Sequence, residues 1–257
     1  MKTRIIAIVN QKGGVGKTSC TFNIGAGLSR EGRRVLYVDA DPQGNLSSAV
    51  GVDTTDENTI FEVMKSECTL DAALVHLDNG IDIIPADLAL AGVDLILASE
   101  PGKEMLLREA LLPVVENYDY ILIDCPPSLG LMTMSALTAA DEIFVAMSPE
   151  YLPTRGLSQL TGTISVVQKR LNNKVHISGI ILNLFDGRRK LHKEAASAIQ
   201  NQFPNAVFHT RIRNSVAIAE SPSFHKDIFE YRPSSHGAID FGAIVTEIID
   251  MEEHDNE

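Results

Sequence analysis

The stretch VNQKGGVGKTSCTFN, Val9 to Asn23, constrains this chain more than any other. It ends a short apolar run rich in β-branched residues, RIIAIVN, and opens into KTSCTFNIGAGLSREG, whose apolar spacing predicts a helix closed by Gly32. Strand, glycine loop and helix in that order make a phosphate cradle, because glycines tolerate left-handed backbone and the amides at a helix start attract anions. The common template G-x-x-x-x-G-K-[ST] fits Gly16, Lys17 and Thr18 but asks for glycine at position 11, where the chain has Gln11. A second lysine, Lys12, also sits in the loop.

Apolar runs recur at RRVLYVDAD, GIDIIPA, YDYILIDCPP, DEIFVAMSPE and HISGIILNLFD, separated by helical patterns at GKEMLLREALLPVVENY, GLMTMSALTAA, PTRGLSQLTGTISVVQKRL and RRKLHKEAASAIQNQF. Strands alternating with helices predict an α/β fold: a doubly wound, mostly parallel sheet with helices on both faces. With 257 residues and 44% apolar content, one domain over 1–250 is expected, followed by MEEHDNE at 251–257 as an acidic disordered tail. Asp39 and Asp41 end one strand and Asp124 ends another, so three carboxylates at strand carboxyl ends are expected to face the crevice of the phosphate loop. Lys17 would neutralise phosphate charge there, and Thr18 would offer its hydroxyl to Mg²⁺.

The net charge of −12 argues against a nucleic-acid partner, but its distribution argues for one. Tyr151 to Asn214 holds ten basic and two acidic residues, which leaves that segment at +8 and the remainder at −20. No apolar run approaches the roughly 20 residues of a membrane span, and the N-terminus has no cleavage site, so a cytoplasmic location is expected. Cys20, Cys68 and Cys125 lack metal or disulfide spacing and read as reduced structural thiols.

KGGVGKT, VDADPQGN, IDCPPSLG, GLSQL and the late ESPSF and EYRPSSHGA together resemble the ParA/Soj partition ATPases of the deviant Walker A group, with a P-loop NTPase-like fold, from about Lys2 to Ile249. The resemblance implies ATP and Mg²⁺ as cofactors, with nucleotide contacts from Lys12, Gly13, Gly14, Val15, Gly16, Lys17, Thr18 and Ser19. Lys17 would bind the β- and γ-phosphates, Thr18 would ligate the metal, and Asp124 would hold it through water. Asp41 would position the attacking water, with Asp39 supporting its loop, and Lys12 would reach across an ATP-dependent homodimer to the partner's nucleotide. Asn183 and the loop around Arg213 would supply the adenine pocket.

The same resemblance implies non-specific DNA binding by the dimer and hydrolysis stimulated by a ParB-like partner. Arg188 falls at a family DNA position and Arg189 follows it. Another family arginine is replaced by Ala217, for which Arg211 is the candidate substitute. The start of the chain at RIIAIVN is unlike the larger plasmid type that carries an amino-terminal DNA-binding extension. The alternative is a MinD-like positioning ATPase on a membrane or other cargo, although FGAIVTEIIDMEEHDNE lacks the lysines and arginines of a lipid-binding tail. No membrane partner is therefore expected, and the implied place is the nucleoid.

Overall fold

The apolar runs become β1 (Arg4–Val9), β2 (Val35–Asp39), β4 (Asp82–Ile84), β5 (Tyr120–Asp124), β6 (Glu142–Met147) and β7 (His176–Phe185), and two further strands, β3 (Val75–His76) and β8 (Val207–Arg213), join them. A computed structural model describes residues 2–150 and 154–255, without the side chains of 154–156 and 253–255, so Arg155 of the basic segment lies outside the described side chains. The helices are α1 (Lys17–Arg30), α2 (Asn45–Ala49), α3 (Ile60–Met64), α4 (Val93–Ile96), α5 (Leu106–Leu111), α6 (Leu131–Ala139), α7 (Thr154–Arg170), α8 (Lys190–Gln202), α9 (Val216–Glu220), α10 (Ile228–Tyr231) and α11 (His236–Asp255).

The strands form one sheet in the order β3-β4-β2-β5-β1-β6-β7-β8. All neighbours are parallel except the two-residue pairing of β3 with β4. Side chains alternate between faces along each strand, and both faces are apolar. Ala7, Val9, Leu36, Val38, Ile121 and Ile123 pack on one face with residues of α3, α5, α6, α7 and α8. Ile6, Ile8, Val35, Tyr37, Tyr120 and Leu122 pack on the other with α1 and α11. The expected doubly wound sheet, covered on both sides, is therefore present. Helix α1 lies close to β2: a Cβ at Gly25 would stand 2.2 Å from the Tyr37 ring, whose hydroxyl donates to the Phe22 carbonyl at 2.6 Å.

Three expectations are corrected. GKEMLLREALLPVVENY is not one helix but a 3-10 turn, the short α5, and a second 3-10 turn at Val115–Asn117. Pro113 lacks the N–H that would bond to the Glu109 carbonyl, so the helix stops before it. VFHTRIR, which alternation alone did not mark, is strand β8 at the sheet edge. The tail is not disordered from residue 251, because α11 continues to Asp255. Glu252 is buried there, accepts from the Tyr120 hydroxyl, and pairs with Arg33 at 2.7 Å. A phenol and a guanidinium from other elements thus order an acidic stretch with little apolar content. Residues 256 and 257 lie outside the described residues. Among the described residues, no helix is long and apolar enough to cross a membrane.

Candidate active site

The central strand β1 delivers Asn10 to the head of the loop, where its Nδ2 donates to Ala146 O on β6 at 2.6 Å and its Oδ1 accepts the Lys12 N–H at 3.0 Å. The loop is thereby tied to its neighbouring strand before it turns. Gly14 and Gly16 take φ of 72° and 88°, the left-handed region that glycine enters without steric cost. A Cβ at Gly14 would meet nothing within 4 Å, which leaves open space beside the loop backbone. Gly16 caps α1 without a side-chain acceptor, and the first N–H groups of that helix have no intrahelical partner. The residues that carry them, Lys17, Thr18 and Ser19, line a cleft of about 590 Å³.

Register places the carboxylates. Asp39 on β2 pairs with Asp124 on β5, and β5 pairs with β1, so the strand ends converge beneath the loop. Thr18 Oγ1 donates to Asp124 Oδ2 at 2.6 Å, and Thr21 Oγ1 reaches Asp124 Oδ1 at 3.3 Å. Asp39 is fully buried and accepts from both N–H and Oγ of Ser47, at 2.9 and 2.8 Å, and from the N–H of Asp41 at 3.1 Å. That brace fixes the segment that carries Asp41, whose own Oδ1 accepts the Gln43 N–H at 3.0 Å.

Burial pushes the Asp124 carboxyl well above the usual carboxylate range, and the adjacent charge of Asp39 adds to it, against the Thr18 hydrogen bond and Lys17. Burial raises Asp39 likewise, opposed by its Ser47 and Asp41 hydrogen bonds. Two desolvated carboxylates close together favour a cation between them and the cleft. Among the described residues, no three His, Cys, Asp or Glu side chains converge as a metal cage. The donor set of one hydroxyl and one carboxylate fits a hard cation that takes its other oxygens from phosphate and water, which is how Mg²⁺ is usually held.

The cleft gathers Gly13, Gly14, Gly16, Lys17, Thr18 and Ser19 at one end, with Asp41 beside them. Asn183, Arg213, Ile218 and Pro222 also line it, Asn183 lying directly against the loop at Gly16. Lys17 is buried at 7% exposure, whereas Lys12 is exposed on the loop's outer side and does not line the cleft. The Val15 side chain is in the core, so only its backbone faces the loop. Asn183 has a structural tie as well: its Nδ2 donates to Val15 O at 3.0 Å. Arg213 is held by Asp240 in a two-pronged pair, with NH2 to Oδ1 at 2.6 Å and Nε to Oδ2 at 2.9 Å.

The basic residues do not form one cluster with these. Arg188 and Arg189 stand on the turn after β7, while Arg211 on β8 folds back so that its guanidinium donates to the carbonyls of Phe208 and His209. Partial burial lowers the Arg211 pKa, against the attraction of Glu247. Asn10, Thr21, Ser47 and Asp240 escaped the sequence reading. Thr21 is one helical turn beyond Lys17 and could have been found by that spacing, whereas Ser47 and Asp240 meet their partners only through tertiary folding.

A family model described as an AAA domain matches residues 3–177. The chain is 42% identical over 237 residues to the sporulation initiation inhibitor protein Soj of Bacillus subtilis, covering 91% of this chain and 94% of that protein. It is 39% identical over 253 residues to the chromosome partitioning protein ParA of Caulobacter vibrioides, covering 97% and 95% respectively. Among solved structures, cobyrinic acid a,c-diamide synthase from Mycobacterium smegmatis with bound ATP analog and magnesium superposes with a TM-score of 0.86 at 33% identity, covering 98% of this chain and 96% of that one. With the glycine cradle, the Thr18–Asp124 contact and the braced Asp41 all in place on a P-loop NTPase-like sheet, the chain belongs to the ParA/Soj family of partition ATPases.

Proposed function

We propose that the chain binds ATP with Mg²⁺, forms a sandwich dimer, holds DNA without sequence preference in that state, and releases it after hydrolysis stimulated by a ParB-like partner. The observation that carries the reading is the Thr18–Asp124 contact of 2.6 Å beside a glycine loop that lines the cleft. Phosphoryl transfer is mostly positioning and charge neutralisation, so few side chains are needed. Lys17 neutralises the terminal phosphates. Thr18 and Asp124 would hold Mg²⁺, which would supply charge compensation to the phosphate oxygens. Asp41, fixed by Asp39 and Ser47, orients the attacking water. Lys12, exposed on the loop, would reach a second subunit's nucleotide.

The DNA face is assigned to Arg188, Arg189 and the surrounding +8 segment, and the place of action to the nucleoid. The test compares the protein with ATP, ADP and no nucleotide against duplex DNA and anionic liposomes. DNA binding confined to the ATP state, and abolished with ATP binding in Lys17→Ala, is expected. Turnover without dimers or DNA binding would favour a synthase of the kind named for the mycobacterial structure, and liposome binding would favour a positioning ATPase on a membrane.

A further inference from the structure

The exposed turn that follows β7 carries the two arginines assigned above to DNA, yet neither guanidinium is idle. Arg188 Nε and NH2 donate to Asp186 Oδ1 and Oδ2, both at 3.0 Å, in the planar fork that arginine also makes with a phosphate. The Arg188 N–H donates to the same Oδ1 at 3.0 Å. Arg189 approaches Asp186 Oδ2 at 3.7 Å and donates from NH1 to Glu150 at 2.9 Å. The backbone that carries the carboxylate is anchored. The Asp186 N–H donates to Nδ1 of His192 at 3.0 Å, and His192 is itself 1% exposed and tilted against Phe185. A second tie closes the turn, from the Arg189 N–H to the Asp186 carbonyl at 3.0 Å. The Arg188 side chain is 91% exposed and Asp186 only 22%, so a turn whose backbone is tied to a buried imidazole carries the carboxylate beneath an exposed guanidinium. The hydrogen bonds from Arg188 hold the Asp186 carboxyl well below its usual range, and it stays ionised.

We propose that Asp186 is an internal phosphate mimic: it occupies one edge of the Arg188 guanidinium, so that a nucleic-acid phosphate takes that edge only by displacing it, and it thereby limits the affinity of the surface. The inference rests on the DNA reading of the preceding section. It gives the acid beneath Arg188 a purpose, which is release. A surface that let go of DNA slowly after hydrolysis would defeat a switch, and an exposed ion pair is weak enough for a duplex to break and strong enough to compete.

The experiment measures binding of labelled duplex DNA by fluorescence anisotropy across salt concentrations, with protein loaded with Mg²⁺ and a non-hydrolysable ATP analogue. Asp186→Asn removes the charge but keeps the Oδ1 acceptor for the Arg188 N–H. It is expected to tighten binding by about two- to five-fold per protomer, and to steepen the log-log salt slope by up to about 0.9 per protomer as one more phosphate is fully neutralised. Glu100→Gln, which removes the same charge from a distant exposed site, controls for net charge and is expected to match the parent. Adding Arg188→Gln and Arg189→Gln to Asp186→Asn should erase the gain. Affinity and slope unchanged in Asp186→Asn, or a gain that survives loss of both arginines, overturns the mimic while leaving the DNA reading intact. Absence of binding by the parent and by every variant overturns the DNA reading itself.

Discussion

Gly16→Ala tests whether the loop geometry is as tightly specified as its contacts imply. Gly16 has φ of 88°, and an alanine in the left-handed region costs about 1–2 kcal/mol. Its Cβ would stand 2.0 Å from Asn183 Nδ2 and 3.2 Å from Asn183 Cγ, so the amide has to move. That amide is 3% exposed and donates to Val15 O at 3.0 Å. Losing the bond leaves buried polar groups unsatisfied, at about 1–3 kcal/mol. The expected total is about 2–5 kcal/mol, or a fall in melting temperature of roughly 4–20 °C for a chain of this size. The clash and the strain separate in a double-mutant cycle. In an Asn183→Ala background the same substitution should cost only the left-handed strain, giving a coupling of about 1–3 kcal/mol between the two positions. Denaturant unfolding of the parent, both single variants and the double variant measures it. A Gly16→Ala variant within about 0.5 kcal/mol of the parent, or single costs that simply add, would refute the reasoning.

Lys12→Ala should leave ADP binding by the monomer largely intact while ATP-dependent dimers fail to form in light scattering; normal dimers would make Lys12 a bystander. Asp41→Ala should bind ATP but hydrolyse it far more slowly, accumulating the dimer, and parental turnover would contradict its role. Away from the site, Arg4 and Glu142 form a buried two-pronged pair, at 2.6 and 2.7 Å, and Glu142→Gln should cost about 3–5 kcal/mol. The Arg4 partnership outweighs burial and lowers the Glu142 pKa, so the pair's contribution is present above the unfolded value and is lost as pH falls through the folded one. Denaturation at several pH values should show the gap between parent and variant constant above about pH 4.5 and narrowing below it. A gap that widens in acid would refute the assignment.

Strands flanked by glycine turns were legible because burial on both faces makes them continuous apolar runs, as in RIIAIV and YILID. Thr18, Lys17 and Asp124 were legible because the loop motif and a strand-end carboxylate carry their chemistry in local order. What stayed hidden depends on partners brought from afar. Strand β8 is at an edge and reads VFHTRIR, with four polar or charged side chains among three apolar ones. Glu252 looked like part of a solvated tail until Tyr120 and Arg33 met it. Arg188 looked like an open cation until Asp186 filled its fork, although the two are only two residues apart, because a carboxylate in a turn reads equally as an ordinary loop residue.

The central claim is that nucleotide state controls a phosphate-binding face. The measurement that tests it most directly is anisotropy of a labelled duplex with Mg²⁺ and either ATP or ADP, over a range of salt, for the parent and Arg188→Glu. The account predicts binding only with ATP, weakening with salt at a log-log slope of about −0.9 per phosphate neutralised and reduced alike on all sequences by Arg188→Glu. Equal affinity in the two nucleotide states, or an affinity indifferent to salt and to Arg188, would contradict it.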